Sequence, residues 1–412
     1  MKARTRDRRP RPRRQTAALV LVGLTVGACA GPRSDPNGNR WPTSNTATTV
    51  ASPATSTTLA TAGGPPIAGF GLGVNVAPMN LLPGQSLQPT GPALIDLLAR
   101  DRLTQVRLLD SPPAPDIAQT QALAAGGWKT VFGELHHAGM RAVLLVSGAY
   151  RADGTPAGGT WAPEGLPGAS DGSAAAMPTA TWIADEDAVL TQIRTQNGGS
   201  FPPALAGIEV ANEPTVDPST IPDLAQAIAA VHAEAPGIPV TIGGWRAPNP
   251  AGRGFLYNDP STAPAVVPLV DFVSAHLYPD NAVPSRQHPD RSSTDPSVYA
   301  AYARSFLQAL VADAKGKPVF VGEFGGRSGL GGGPAASQGG SPAHQQAVVQ
   351  AVADALVSEA DHGVTGGTAW WLEPALGTHT TCDSFALICL DTNGTQPAFS
   401  ALALIANSAL SP

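Results

Sequence analysis

Two short segments each place a glutamate at the end of a stretch with the composition of a β-strand. Segment 208–214 (IEVANEP) contains Glu213, and segment 318–325 (PVFVGEFG) contains Glu323. Two carboxyl groups on opposite sides of a cleft can hydrolyse a glycosidic bond, because one protonates the leaving oxygen while the other faces the anomeric carbon as an anion. Partial burial and a neighbouring negative charge raise the pKa of one member, which keeps it protonated near neutral pH. Glu213 and Glu323 are therefore the candidate catalytic pair.

Other roles for these glutamates have to be weighed. Glu213 could be a surface residue at a helix start, stabilised by the helix dipole, and Glu323 could be a loop charge. The strand context of both segments favours the catalytic interpretation. Glu209 shares strand parity with Glu213, so we expect it to point inward as a hydrogen-bonded structural residue. Glu373, just past the last predicted strand, is the main alternative to Glu323.

The elements that must position these residues are alternating strands and helices from Ile67 onward. Strands are predicted over 69–76, 105–109, 140–146, 206–211, 238–243, 271–276, 318–321 and 364–370. Helices are predicted over 92–102, 117–138, 181–195, 222–233, 297–314, 342–359 and 397–410. Eight such units predict an α/β fold, a (β/α)8 TIM barrel, in which strand ends carry the catalytic residues. A doubly wound sheet is the alternative, but it usually has a glycine-rich phosphate loop after its first strand, and this sequence has none there.

Five motifs, each at its own strand end and in the expected order, resemble those of clan A glycoside hydrolases, most closely family five, which includes many cellulases and mannanases. The matching residues are Arg107 on strand two, Asn212-Glu213-Pro214 on strand four, His276-Leu277-Tyr278 on strand six, Gly322-Glu323-Phe324-Gly325 on strand seven and Trp371 on strand eight. The resemblance in layout covers nearly all of residues 67–412.

The resemblance implies a role for each of these side chains. Glu213 would be the acid/base and Glu323 the nucleophile of a retaining glycoside hydrolase that cleaves an O-glycosidic bond, of β configuration. Arg107 would steady the nucleophile, and Trp371 would form the floor of the first sugar subsite. The substrate-binding residues it implies are Arg107, Asn212, His276, Tyr278 and Trp371.

One departure and two alternatives qualify this interpretation. The family commonly has a histidine at the end of strand three, where this chain has Ser147-Gly148-Ala149-Tyr150, so the sugar contact there must differ. A non-catalytic glycan-binding lipoprotein on the same barrel would not need both glutamates. A transglycosylase that remodels envelope glycans would share every site residue. Glucan, mannan, xylan and envelope glycans all stay open as substrates.

No cofactor or metal is expected. His136 and His137 are adjacent on a predicted helix and do not face one another. No histidine or carboxylate cluster in the sequence has metal-ligand spacing.

The N-terminus is typical of a targeting segment. Basic residues precede an apolar run of about ten residues, the length of a signal-peptide core. Cys29 then follows small residues as in a bacterial lipobox, which predicts a signal peptide over 1–29 and a lipidated Cys29; cleavage after Ala30 is the alternative. Residues 30–66 have almost no large apolar side chains and are expected to form a linker. The protein is expected at the outer face of the cell membrane as a lipoprotein, or secreted.

The remaining cysteines are Cys382 and Cys389, which are seven positions apart. A disulfide between them suits an exported protein, and two free thiols are the alternative.

Charge limits the partners of the folded body. The whole chain has a formal net charge of −6, but residues 67–412 carry −14. An acidic body repels phosphate backbones, so nucleic acid is not expected as a partner. The expected partners are a carbohydrate substrate and, through the lipid, a membrane. We expect a monomer.

Overall fold

The structure is a computed structural model of the chain that describes residues 69–83, 91–109, 121–146, 160–161, 176–177, 179–216, 218–246, 258, 260–279, 293–328, 340–370, 372, 387–389 and 394–409. Cys29, Trp371, Glu373 and Cys382 lie outside these ranges, as does the side chain of Cys389. Lipidation, the disulfide and the sugar-floor role of Trp371 therefore stay predictions. Within the described ranges, no helix has the length and hydrophobicity needed to cross a bilayer.

Eight parallel strands form a single sheet. They are β1 (Gly71–Val76), β2 (Gln105–Leu109), β3 (Arg141–Leu145), β4 (Leu205–Asn212), β5 (Val240–Gly243), β6 (Val273–Leu277), β7 (Val319–Phe324) and β8 (Val364–Ala369). The hydrogen-bonded order is β5-β4-β3-β2-β1-β8-β7-β6. The pairing of β1 with β8 makes the sheet continuous across the first and last strands, as a barrel requires.

The barrel is nearly closed between β5 and β6. The amide of Asp271 donates to the carbonyl of Val240 at 2.8 Å, and the hydroxyl of Thr241 donates to the carbonyl of Phe272 at 2.6 Å. These bonds connect β5, one edge strand of the sheet, with the residues that lead into β6, the other edge strand. The predicted (β/α)8 barrel is confirmed.

Amphipathic helices cover the outside of the sheet. They are α1 (Pro92–Arg100), α2 (Trp128–His137), α3 (Thr179–Gln196), α4 (Ile221–Glu234), α5 (Ser297–Ala314), α6 (Pro342–Ser358) and α7 (Pro397–Ala409). Shorter turns lie at Pro78–Leu81, Leu123–Gly127, Ala263–Val266, Val267–Leu269 and Ala360–His362. The last helix packs against α6 and β1, so the C-terminal segment closes the helical layer over the first strand.

The prediction of one continuous helix over 117–138 is wrong, because the helix is interrupted before Trp128. Leu123–Gly127 forms a wide π-type turn, and Gly126 has a φ of 129°. Such a backbone conformation is open to glycine and disfavoured for other residues. Helix α2 therefore begins only at Trp128.

The barrel interior is filled in layers, as in other barrels of this type. Val143, Phe272 and Phe320 form an apolar cluster separate from the main core, and the two rings pack edge to face with centroids 6.5 Å apart. Gly207 leaves room for them, since a Cβ there would lie 3.0 Å from the Phe272 ring. Buried polar residues of β2 and β4, Arg107 and Glu209, support the candidate site.

Candidate active site

A buried ion pair lies across the barrel beneath the strand ends. The Nε of Arg107 donates to Oε2 of Glu209 at 2.6 Å, and the hydroxyl of Ser274 donates to Oε1 at 2.6 Å. All three residues are fully buried. Gly243 leaves space for this pair, because a Cβ there would lie 2.7 Å from Oε2 of Glu209. Glu209 is thus the structural, hydrogen-bonded residue that strand parity predicts.

The Arg107 guanidinium also reaches the strand ends. Its Nη1 donates to Oε1 of Glu323 at 2.8 Å and to Oδ1 of Asn75 at 2.9 Å. Its Nη2 donates to Oδ1 of Asn212 at 2.7 Å. Burial alone would lower the pKa of Arg107, but the charges of Glu209 and Glu323 raise it above its usual value. Arg107 is therefore a fixed cation that holds residues of three other strands, β1, β4 and β7, in place.

Glu323, on β7, lies among strong donors. Besides Arg107, the phenol of Tyr278 donates to its Oε2 at 2.7 Å. Burial raises the pKa of Glu323 above its usual range, while the Arg107 charge and the Tyr278 hydrogen bond act in the opposite direction. Donors that favour the anion are what a carboxylate nucleophile needs.

Glu213 follows β4 in an unusual backbone conformation. Its φ is 50°, one of few positive values at a non-glycine residue in the described chain. The pairing of β4 with β5 shifts register between Glu209 and Asn212, and the Glu213 amide donates to the Gly243 carbonyl at 2.6 Å. Neighbouring residues on a regular strand face opposite sides. The irregularity lets Asn212 contact Arg107 while Glu213 contacts His276.

The Glu213 carboxylate is bound on both oxygens. Nη2 of Arg246 donates to Oε2, and Nδ1 of His276 lies 2.9 Å from Oε1. Burial, helped by the charges of Arg107 and Arg246, holds the pKa of His276 well below its usual value. His276 is therefore held in its neutral form, with its Nδ1 hydrogen-bonded to Glu213.

The two candidate catalytic carboxylates are close together. One oxygen of Glu213, one oxygen of Glu323 and a ring nitrogen of His276 all lie within 4.8 Å of one another. That spacing alone would suit a cation. However, each of the four carboxylate oxygens already accepts from Arg107, Arg246, His276 or Tyr278. Two guanidinium groups in contact with the carboxylates would also repel a cation, so the cluster fits a hydrogen-bonded acid pair better than a metal centre.

The structure brings together six of the seven side chains that the sequence nominated. Arg107, Asn212, Glu213, His276, Tyr278 and Glu323 form one connected network. The seventh, Trp371, lies outside the described residues. Trp182 and Trp245 are buried in the core and do not line a subsite.

Three site residues were missed by sequence reasoning. Asn75 interrupts the apolar strand β1, and its amide donates to the Gly322 carbonyl at 2.9 Å. Ser274 is the inward polar residue of β6. Arg246 follows the end of β5, and a search of all eight strand ends for charged residues would have found it.

Neutralising Glu209 is expected to destabilise the fold strongly. In Glu209→Gln, the fully buried Arg107 keeps only Glu323 as a charged partner. Because one counter-charge remains, we expect a loss of about 1.5–3 kcal/mol, the contribution of a hydrogen bond to a charged group. Urea unfolding of both proteins measures the difference. Asp101→Asn is the matched control, because its partner Arg100 is 71% exposed and such surface pairs contribute roughly 0–1 kcal/mol. Equal losses in the two variants would contradict the account.

Adding a methyl group at Gly244 is expected to displace His276. Gly244 has a φ of 48°, and a Cβ there would lie 2.4 Å from the imidazole Cγ. We expect Gly244→Ala to lower kcat/KM by roughly 10²-fold, as misplacement by about 1 Å does. Gly133→Ala, within α2 and with nothing within 4 Å, should keep full activity and gain about 0.5–1 kcal/mol of stability. Full activity in Gly244→Ala would show that His276 need not be held there.

Comparison with known proteins supports the architecture. No protein-family model matches the sequence, and no curated protein matches it. Solved structures do match. The endo-1,4-β-D-mannanase of Thermotoga petrophila RKU-1 is 13% identical with a TM-score of 0.53, over 82% of this chain and 99% of that one. The glycoside hydrolase family 5 mannosidase of Rhizomucor miehei is 14% identical with a TM-score of 0.51, over 83% and 93%.

A β-glucuronidase from an uncultured Clostridium species is similar over part of its length. It is 12% identical with a TM-score of 0.51, and the match covers 82% of this chain and 50% of that chain. At these identities the likeness is one of fold. This chain has the (β/α)8 fold of these solved structures.

Proposed function

We propose that this protein is a retaining glycoside hydrolase that cleaves O-glycosidic bonds of β configuration in a polysaccharide or oligosaccharide. The observation that carries the proposal is the approach of Glu213 and Glu323 to within 4.8 Å between their oxygens. Carboxyl groups of retaining enzymes lie about 5–5.5 Å apart, and those of inverting enzymes about 6.5–9.5 Å apart. The short separation supports direct attack by one carboxylate, because it lies nearer the spacing of retaining enzymes than that of inverting ones.

In the first step Glu323 is the nucleophile. Its carboxylate oxygen bonds to the anomeric carbon while the bond from that carbon to the leaving oxygen breaks, and Glu213 gives its proton to that oxygen. Arg107 and Tyr278 hold the attacking carboxylate in position through hydrogen bonds of 2.8 and 2.7 Å. The product of this step is a glycosyl ester on Glu323.

In the second step Glu213 acts as a base. It takes a proton from a water molecule whose oxygen attacks the anomeric carbon, and the bond from that carbon to Glu323 breaks. Asn212 supports both steps. Its Oδ1 accepts from Arg107 at 2.7 Å, which leaves its amide nitrogen to donate to the sugar 2-hydroxyl, a contact that strengthens in the transition state.

The structural neighbours guide the choice of substrates to test. The similar structures from Thermotoga petrophila and Rhizomucor miehei are a mannanase and a mannosidase. We propose β-linked mannans and manno-oligosaccharides as the first substrates, with glucans, xylans and envelope glycans beside them.

The test is a screen for released reducing sugar and aglycone. The purified protein is compared with Glu213→Gln and Glu323→Gln on aryl β-glycosides and a panel of polysaccharides. Release by the wild type and its loss in both variants would establish the two-carboxylate chemistry. Tight binding of a glycan without cleavage would identify a binding lipoprotein instead. New oligosaccharides formed only with added acceptor sugars would identify a transglycosylase.

The cellular setting is a further part of the proposal. The basic and apolar pattern of residues 1–30 supports export, with Cys29 lipidated and a Cys382–Cys389 disulfide forming outside the cytoplasm. The folded body would act as a monomer at the outer face of the membrane. Membrane fractionation of Cys29→Ala tests this, because loss of the lipid should release the protein into the medium.

A further inference from the structure

Arg246 lies beside Glu213 through an extension of the barrel pairing. The Arg246 amide donates to the Pro214 carbonyl at 2.8 Å, and the Val216 amide donates to the Arg246 carbonyl at 2.7 Å. Thr215 and Arg246 form a parallel bridge beyond the ends of β4 and β5. The backbone that carries Arg246 is thereby bonded to the segment that carries Glu213.

The two side chains form a nearly buried ion pair. Nη2 of Arg246 contacts Oε2 of Glu213, with only 5% and 7% of the side chains exposed. His276 binds the other oxygen and is neutral. Among the described residues, the ionisable groups near this pair include Arg107, Glu209, Tyr278 and Glu323. The charged partners of Arg107 are Glu209 and Glu323, and the guanidinium in contact with Glu213 is that of Arg246.

We propose that Arg246 is a positioning residue that keeps Glu213 ionised in the empty site and so sets the alkaline limit of the reaction. This inference rests on the proposed function, in which Glu213 must hold a proton before the first step. A cation in contact with a carboxyl group favours the anion, by about 1–3 pH units. Burial protects the pair from screening by salt.

The ion pair of Arg246 and Glu213 disfavours the first step of the proposed reaction and favours the second. In the first step Glu213 must be protonated while Glu323 is ionised. The Arg246 charge opposes protonation of Glu213, and burial opposes ionisation of Glu323 by raising its pKa. The competent fraction is therefore small, and it falls as pH rises above the pKa values of the two groups. Once the proton has passed to the leaving oxygen, Arg246 stabilises the carboxylate that remains. That carboxylate then accepts the proton of the attacking water. The geometry therefore predicts an optimum on the acid side of neutrality.

The first measurement needs neither substrate nor activity. The carboxyl carbon of Glu213 is followed by ¹³C NMR against pH in the full chain labelled at glutamate Cδ, with Glu213→Gln assigning the resonance. We expect Glu213 in the wild type to be ionised throughout about pH 5–8, because an unperturbed glutamate titrates near 4.3 and the cation lowers that value. A midpoint at about pH 6 or above, as in acids kept protonated by burial, would overturn the inference.

The second measurement uses variants and the pH dependence of kcat/KM on an aryl glycoside. In Arg246→Met the alkaline limb should move upward by about 1–3 pH units, while in Arg246→Lys it should stay near its wild-type position. Arg194→Met is the matched control, since Arg194 pairs with Glu234 at the partly exposed surface and should leave the profile unchanged. A uniform loss of rate in Arg246→Met with an unmoved limb would show a purely structural role and overturn the inference.

The two measurements separate this inference from the proposed function. A low titration midpoint for Glu213 in a protein that turns over no glycoside would support the Arg246 assignment and contradict the hydrolase. Turnover of a glycoside by a wild type whose Glu213 is protonated at pH 6 would support the hydrolase and contradict the Arg246 assignment.

Discussion

Glu323→Gln is expected to lower kcat/KM on any accepted glycoside by roughly 10⁴-fold or more, because loss of a nucleophile removes the covalent route altogether. The amide has nearly the shape of the carboxylate but is a far weaker nucleophile. It also loses the charge that Arg107 and Tyr278 bind at 2.8 and 2.7 Å. Initial rates with an aryl β-glycoside measure the effect.

The fold should survive this substitution. Arg107 keeps its ion pair with Glu209, so the buried cation is not left without a counter-charge. Circular dichroism and cooperative urea unfolding check this point. The matched control is Glu373→Gln, the other carboxylate that follows a late strand. Wild-type rates in Glu323→Gln together with loss in Glu373→Gln would move the nucleophile to Glu373.

Glu213→Ala should produce a loss that depends on the leaving group. With phenyl glycosides, whose leaving group has a high pKa, or with polysaccharides, we expect kcat/KM to fall by about 10²–10⁴-fold, the usual contribution of general acid catalysis. With a dinitrophenyl glycoside the first step needs no proton, so its rate should change little. The second step then lacks its base and the glycosyl ester on Glu323 accumulates, visible as a burst of dinitrophenol.

Azide distinguishes this outcome from simple damage to the site. Added azide needs no base, so it should restore the steady-state rate of Glu213→Ala and yield a glycosyl azide of the same anomeric configuration as the substrate. His276 and Arg246 both lose their partner in this variant. An equal loss on all substrates, with no azide rescue, would mean that Glu213 only holds those two side chains in place.

The barrel and the candidate catalytic pair were predictable from the sequence because both follow from local patterns. Short apolar strands alternate with amphipathic helices, and Glu213 and Glu323 lie at the carboxyl ends of two of those strands. Glu209 was predictable too, because it lies four residues before Glu213. An even separation places two residues on the same face of a regular strand. These features depend on the period-two alternation of strands and on the position of strand ends in this fold.

The features that were missed depend on departures from that regularity. The register shift between Glu209 and Asn212 and the φ of 50° at Glu213 bring two neighbouring side chains to one face. Strict alternation forbids this. Arg246 was missed because its contact with Glu213 arises from pairing beyond β4 and β5. The break at Gly126 was missed because helical periodicity continues on both sides of it.

Trapping of the glycosyl enzyme tests the central claim most directly. The wild type is incubated with the 2-deoxy-2-fluoro analogue of whichever activated β-glycoside it turns over, then digested, and the modified peptide is identified by mass spectrometry. The account predicts one adduct per chain, in ester linkage to Glu323. An adduct on Glu213 or Glu373, or turnover that inverts the anomeric configuration without any adduct, would contradict it.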